Sequence, residues 1–141
     1  MSVVFHALQP VSLKNRTSLK LFISQLFDRE GKSLQALDII FCSDEYLLDI
    51  NNKHLKHNYY TDIITFDLSD PTLSEIVGEL YISVDRVKEN SLSLHTKFSI
   101  ELLRVIFHGA LHLCGYKDKK QKDIKTMRQK EDEYLELFNR L

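Results

Sequence analysis

The 141-residue sequence predicts an α+β fold, a small mixed four-stranded sheet with one face covered, packed with about five helices. Three observations carry this expectation. Short β-branched and aromatic runs alternate along the chain with stretches whose apolar residues recur at helical spacing. One stretch, Phe98–Leu113, is apolar almost all round, as a helix buried in a domain centre is. Four glycines and two prolines leave no linker, repeat or low-complexity tract, so residues 1–141 read as a single domain.

The elements follow in order. Val3–Leu8 reads as a first strand, stopped near Pro10. Thr17 or Ser18 can cap a helix that carries Leu19, Phe22, Ile23, Leu26 and Phe27 on one face, with Gly31 ending it. Leu34–Cys42 reads as a strand whose most buried part is Ile39-Ile40-Phe41. Ser43 is an N-cap, and Asp44 and Glu45 lie in the first turn, where the helix dipole favours negative charge. That helix runs to about Leu55.

A polar loop from Lys56 to Tyr60 leads into a strand over Asp62–Leu68, which Pro71 breaks, and Gly78–Ser83 makes a further short strand. Helices are expected from about Val84 to Ser93, from Phe98 to Leu113, and from about Gln121 to Asn139. The last should bury Ile124, Met127, Tyr134, Leu135, Phe138 and Leu141.

Composition narrows the function. With 43% hydrophobic and 28% charged residues the chain has the make-up of a soluble globular protein, and no apolar run reaches the length of a membrane span. The start, Met1-Ser2-Val3-Val4-Phe5-His6, lacks the pattern of a secretory signal, and Cys42 and Cys114 make no disulfide framework, so a cytoplasmic location is expected. A formal net charge of −1 argues against gripping nucleic acid with the whole surface, because phosphate neutralisation supplies most of such affinity. Any nucleic-acid contact must be local. Lys117, Lys119, Lys120, Lys122, Lys125, Arg128 and Lys130 form the one basic cluster that qualifies, although with Glu131, Asp132 and Glu133 they also read as an ordinary solvated face.

The chemistry lies on the central buried helix. Its few polar residues, Glu101, Arg104, His108 and His112, are spaced by three, four and four, so they form one narrow stripe. Polar groups on a buried helix need partners or a cleft. Glu101 and Arg104 read as an i,i+3 ion pair. His108 and His112 stand one turn apart on the same side, the geometry a divalent metal requires of two ligands. Gly115 can stop the helix in a left-handed turn, so that the chain folds back and offers Asp118 as a third ligand; Asp118 also reads as a turn residue capping the next helix. Three protein ligands leave room for a water, and a water on a metal points to a hydrolase. In H-E-x-x-H peptidases the residue after the first His is the general base; here it is Gly109, which removes that reading. Cys114 points to another face of the helix and reads as a buried small hydrophobe.

The segment His108-Gly109-Ala110-Leu111-His112-Leu113-Cys114-Gly115-Tyr116 also resembles the H-G-x-L-H-L-x-G-Y-D-H signature of the YbeY endoribonucleases, the bacterial rRNA maturation factors. Upstream, Thr61-Asp62-Ile63-Ile64-Thr65-Phe66 resembles the T-D-V-L-S-F strand of that family, and Gly78-Glu79-Leu80-Tyr81-Ile82-Ser83 its G-D-I-x-I-S strand. The matches keep the family's order over roughly residues 50 to 118. The resemblance implies an α+β fold with one zinc or other divalent ion held in a cleft by His108, His112 and Asp118. It further implies a single-strand endoribonuclease acting in maturation of the 3′ end of small-subunit (16S) rRNA and in ribosome quality control. The partners would be single-stranded RNA, rRNA and the small ribosomal subunit.

Two departures from the family pattern stand out. The third family ligand is usually His, where this chain has Asp118, with Lys117 where Asp is usual. An anionic oxygen is an acceptable zinc ligand but should leave the metal a slightly weaker Lewis acid. Where many members carry an Arg before the T-D strand, this chain has Leu55, with Lys56 or His57 as substitutes. The expected chemistry is attack on a phosphodiester by a zinc-activated hydroxide, with Arg104 and the Lys117–Lys120 group as candidates to stabilise developing charge, and Asp62 or Glu79 as candidate general bases. Two other readings stay open: a ribosome-assembly factor with a mainly structural metal, and a metal hydrolase acting on a small substrate.

Overall fold

A computed structural model describes residues 2–56 and 59–141. The elements are β1 (Ser2–Ala7), α1 (Arg16–Arg29), β2 (Ser33–Cys42), α2 (Asp44–Leu55), β3 (Ile63–Asp67), β4 (Glu75–Ser83), α3 (Val84–Ser93), α4 (Phe98–Leu113) and α5 (Gln121–Asn139). Among the described residues the sheet has four strands in the order β1-β2-β4-β3. β1 and β4 run parallel to β2, while β3 runs antiparallel to β4 at the edge. The expected α+β fold with a mixed four-stranded sheet and five helices is the one found among the described residues.

Strand alternation sorts the apolar residues between two faces. Leu37, Ile39, Phe41, Leu80 and Ile82 join Val3 and the helices α1, α4 and α5 in the main core. Phe22 of α1 meets Phe107 of α4 and Phe138 of α5 with ring centroids 5.4 and 5.1 Å apart. The expectation of one covered face is corrected by a second cluster, in which Cys42, Ile64, Phe66 and Tyr81 pack against Leu47 and Ile50 of α2. The unbroken buried run Ile39–Cys42 has this cause: a strand covered on both sides does not alternate.

Local chemistry sets most boundaries. The Ser43 hydroxyl accepts from the Tyr46 amide, as an N-cap does, and Ser83 caps α3 in the same way through Arg86. α1 departs from expectation. It begins at Arg16 behind Asn15, which is in the left-handed region at φ 56°, and the Leu19 amide bonds the Asn15 carbonyl. Thr17 and Ser18 therefore lie inside the first turn rather than capping it. Ile124 and Leu141 are also corrected: Ile124 is 49% exposed because the inner face of α5 is formed by Met127, Glu131, Tyr134 and Leu135, and Leu141, 78% exposed, lies beyond the end of that helix.

Gly109 has a packing role. A Cβ there would lie 2.8 Å from Ile63 Cδ1 and 2.8 Å from Leu80 Cδ2. Its absence lets α4 lie close against β3 and β4, which brings the polar stripe of α4 to the edge of the sheet.

Candidate metal centre

His108 and His112 stand one turn apart near the end of α4, 22% and 26% exposed, at the floor of a cleft of about 600 Å³. The helix then stops in a Schellman turn: the Gly115 amide bonds the His112 carbonyl, the Tyr116 amide bonds the Leu111 carbonyl, and Gly115 has φ 107°. The turn reverses the chain and returns Asp118 to the histidines. Asp118 Oδ2 lies 3.2 Å from His108 Nε2 and 3.2 Å from His112 Nε2, and the two Nε2 atoms are 3.0 Å apart. Ligands about 2.0–2.1 Å from a tetrahedral ion lie about 3.3–3.4 Å from one another, so the triangle has the size of one face of such a site.

The remaining ring nitrogens show why the three atoms suit a cation. His112 Nδ1–H donates to the Tyr116 carbonyl at 2.9 Å, an acceptor with no proton to give. His108 Nδ1–H donates to Glu131 Oε2 at 2.6 Å. With both Nδ1 atoms holding protons, the neutral rings turn bare Nε2 lone pairs toward each other and toward a carboxylate oxygen. Three electron-rich atoms at that distance repel unless a positive charge sits among them. The His108 imidazole reports the same field. Burial works to lower its pKa, but the hydrogen bond and charge of Glu131, with the charges of Asp118 and Asp62, outweigh burial and raise it. The triad of His108, His112 and Asp118 is therefore able to hold a metal ion.

Glu131 is the residue that sequence reasoning missed. In the sequence it reads with Asp132 and Glu133 as a counterweight to the lysines, yet its side chain is only 6% exposed and bonds His108. The signal was available. Glu131 shares the inner face of α5 with Met127, Tyr134 and Leu135, and an acid on an apolar stripe needs a buried partner. The second oxygen of Glu131 takes Arg104 Nη1 at 3.0 Å, and Arg104 Nη2 reaches Asp132 at 2.8 Å. The expected Glu101–Arg104 pair is thus replaced by a bridge from α4 to α5. Arg104 is not among the cleft-lining residues, and its buried Nε has no hydrogen-bond partner among the described residues.

The other candidates divide by location. Asp62, just before β3, lines the cleft, and its carboxyl pKa is raised, first by burial and against the opposing pull of His108. Glu79 lines a separate groove on the α2 side of the sheet and meets the Tyr81 hydroxyl at 3.3 Å, so it faces away from the histidines. Lys119 lines the cleft; Lys117 and Lys120 border an adjoining hollow with Asp123. Leu55 also lines the cleft, Lys56 closes α2 in the left-handed region, and His57 lies outside the described residues. Cys114 is buried, and burial pushes its thiol up to about 12, in keeping with a small hydrophobe rather than a ligand.

Fold and site together define an α+β protein with a cleft at the end of its central helix whose three donors are able to hold a metal ion. Comparison with known proteins makes this specific. The family model for Endoribonuclease YbeY matches residues 9–139. A curated Endoribonuclease YbeY from Cytophaga hutchinsonii is 47% identical over 125 residues, covering 89% of this chain and 87% of its own. The Endoribonuclease YbeY of Flavobacterium psychrophilum is 46% identical over 127 residues, covering 90% and 89%. A solution structure from Thermotoga maritima superposes with a TM-score of 0.65 at 26% identity, covering 97% of this chain and 89% of that one. The chain belongs to the YbeY endoribonuclease family.

Proposed function

We propose that this protein is a zinc-dependent endoribonuclease that cleaves single-stranded RNA, acting in the cytoplasm in maturation of the 3′ end of 16S rRNA and in ribosome quality control. The observation that carries the metal-dependent part is the convergence of two bare Nε2 atoms and a carboxylate oxygen at 3.0–3.2 Å, with both Nδ1–H groups tied down. RNA as substrate comes from the family. Zinc is the metal of choice because two imidazoles and a carboxylate with an open fourth position are a usual catalytic zinc set.

An ion held by His108, His112 and Asp118 would supply Lewis acidity to a water, whose pKa such ions lower toward about 7, and to a phosphoryl oxygen. The chain supplies the rest. His108 and His112 are held in the coordinating tautomer by Glu131 and by the Tyr116 carbonyl. Asp62 shares the cleft, and the burial that raises its pKa suits it to take a proton from the attacking water. Lys119, which lines the cleft with Leu55, can meet the phosphate. Arg104 acts at one remove, by holding Glu131 against His108.

Leu55 and the net charge of −1 favour a second reading, a ribosome-assembly factor whose metal is structural. Structural zinc sites close with a fourth protein ligand, whereas this group has three members among the described residues. One experiment separates the readings. Purified protein is incubated with single-stranded RNA, with and without a chelator, beside Asp118→Ala and Asp118→His. Cleavage that the chelator abolishes, that Asp118→Ala loses and that Asp118→His keeps supports the enzyme. Stoichiometric zinc with no cleavage of single-stranded RNA would establish the structural metal instead.

A further inference from the structure

Glu30 closes α1, far in sequence from every residue of the cleft, and its side chain is 10% exposed. Its carboxylate is almost fully engaged. Oε1 accepts from the Tyr116 hydroxyl at 2.7 Å, while Oε2 accepts a short hydrogen bond from the Tyr134 hydroxyl and a contact from Lys130 Nζ at 3.3 Å. Tyr134 and Lys130 belong to α5, so those two contacts read as a brace between helices. Tyr116 is different. It sits on the return loop between the two halves of the metal triad, two residues before Asp118, and its own carbonyl holds His112 Nδ1–H at 2.9 Å.

One residue therefore joins the distant carboxylate to the metal ligands at both ends. The hydroxyl of Tyr116 is pinned by Glu30, its amide is pinned to Leu111, and the carbonyl between them sets the tautomer of His112. Backbone geometry after the Schellman turn decides where that carbonyl points and how far Asp118 reaches. Neither is fixed by α4 alone, because Gly115, the pivot of the turn, has no side chain to restrict it.

We propose that Glu30 is a positioning residue of the metal centre, acting through the Tyr116 hydroxyl to hold the Tyr116 carbonyl against His112 and to set the reach of Asp118. This rests on the metal reading of His108, His112 and Asp118. A hydrogen-bond partner of a metal ligand is worth about 10–100-fold in metal affinity; Glu30 acts one bond further out, so its loss should weaken binding by about tenfold.

The test is zinc affinity of the full chain, by competition with a chromophoric chelator at fixed pH, for wild type, Glu30→Gln, Tyr116→Phe and the double variant. Ile23→Val, a buried α1 truncation that leaves the Glu30 and Tyr116 hydrogen bonds in place, serves as a comparator for simple loss of stability. Tyr116→Phe keeps the carbonyl and removes only the hydroxyl, so it reads the link even if Glu30→Gln folds poorly. Both single variants should bind zinc about tenfold more weakly and the double variant no more weakly than either, while Ile23→Val binds like wild type. Long-range proton–nitrogen spectra of metal-free Tyr116→Phe should show His112 losing its single Nδ1–H tautomer. Wild-type affinity in Tyr116→Phe, losses that multiply in the double variant, or an equal loss in Ile23→Val would each overturn the role of Glu30. Failure of wild type itself to bind zinc would instead overturn the metal centre, and this inference with it.

Discussion

His108 shows how much of the site is decided by single contacts. Its ring is partly buried, which taken alone would favour the neutral form, yet Glu131, Asp118 and Asp62 surround it with negative charge and raise its pKa above the ordinary 6.5. The sign of the consequence follows. A proton and a metal ion compete for Nε2, so zinc affinity should fall as pH drops, and the fall should begin above pH 6.5 rather than at it. Zinc titrations of wild type between pH 8 and 5.5 read this directly, and Glu131→Gln should move the onset to lower pH by removing the charge beside Nδ1. In the metal-free protein the same raised pKa stabilises the fold below 6.5, an effect lost as pH rises through the folded value. The convergence of His108, His112 and Asp118 was legible in the sequence, because i,i+4 spacing and a helix stop are local facts. Glu131 was not read, since its importance lies in a contact between two helices.

At the scale of elements, α4 is both the centre of the core and the platform of the site, and Gly109 reconciles the two. The same position excluded a peptidase base in the sequence, and in the fold it is where the helix touches Ile63 and Leu80. Gly109→Ala should gain about 1 kcal/mol in helix propensity but incur about 1–3 kcal/mol of overpacking. The net expectation is a loss of about 1 kcal/mol in urea denaturation, together with weaker zinc binding as α4 is pushed from the sheet. Helices α3, α4 and α5 fall within the approximate bounds expected of them, because their apolar residues recur at helical spacing. The start of α1 was not, because Asn15 ends the preceding loop through a left-handed backbone conformation rather than a side-chain cap. The cover that α2 places on the second sheet face was also hidden, since it depends on where Leu47 and Ile50 land.

For the whole molecule, Glu30 joins α1, the return loop and α5. Its burial raises the carboxyl pKa, but the hydroxyls of Tyr116 and Tyr134 and the charge of Lys130 outweigh burial, and the pKa is lowered from 4.5. A lowered carboxylate stabilises the fold above its unfolded value, and that stability is lost as pH falls through the folded value. Acid denaturation of metal-free protein should therefore be steeper below pH 4.5 in wild type than in Glu30→Gln, read as the pH dependence of the urea midpoint. The sequence by itself determined the element order, the mixed sheet, the buried helix and the three donor residues, because each follows from periodicity, caps and spacing along a continuous stretch of chain. Only the tertiary structure decided that Arg104 serves Glu131 rather than Glu101, that Glu79 faces away while Asp62 enters the cleft, and that a carboxylate at the end of α1 reaches the loop holding His112. These are pairings across long separations in sequence, fixed by how α1, α4 and α5 pack over one sheet, and no local pattern encodes them.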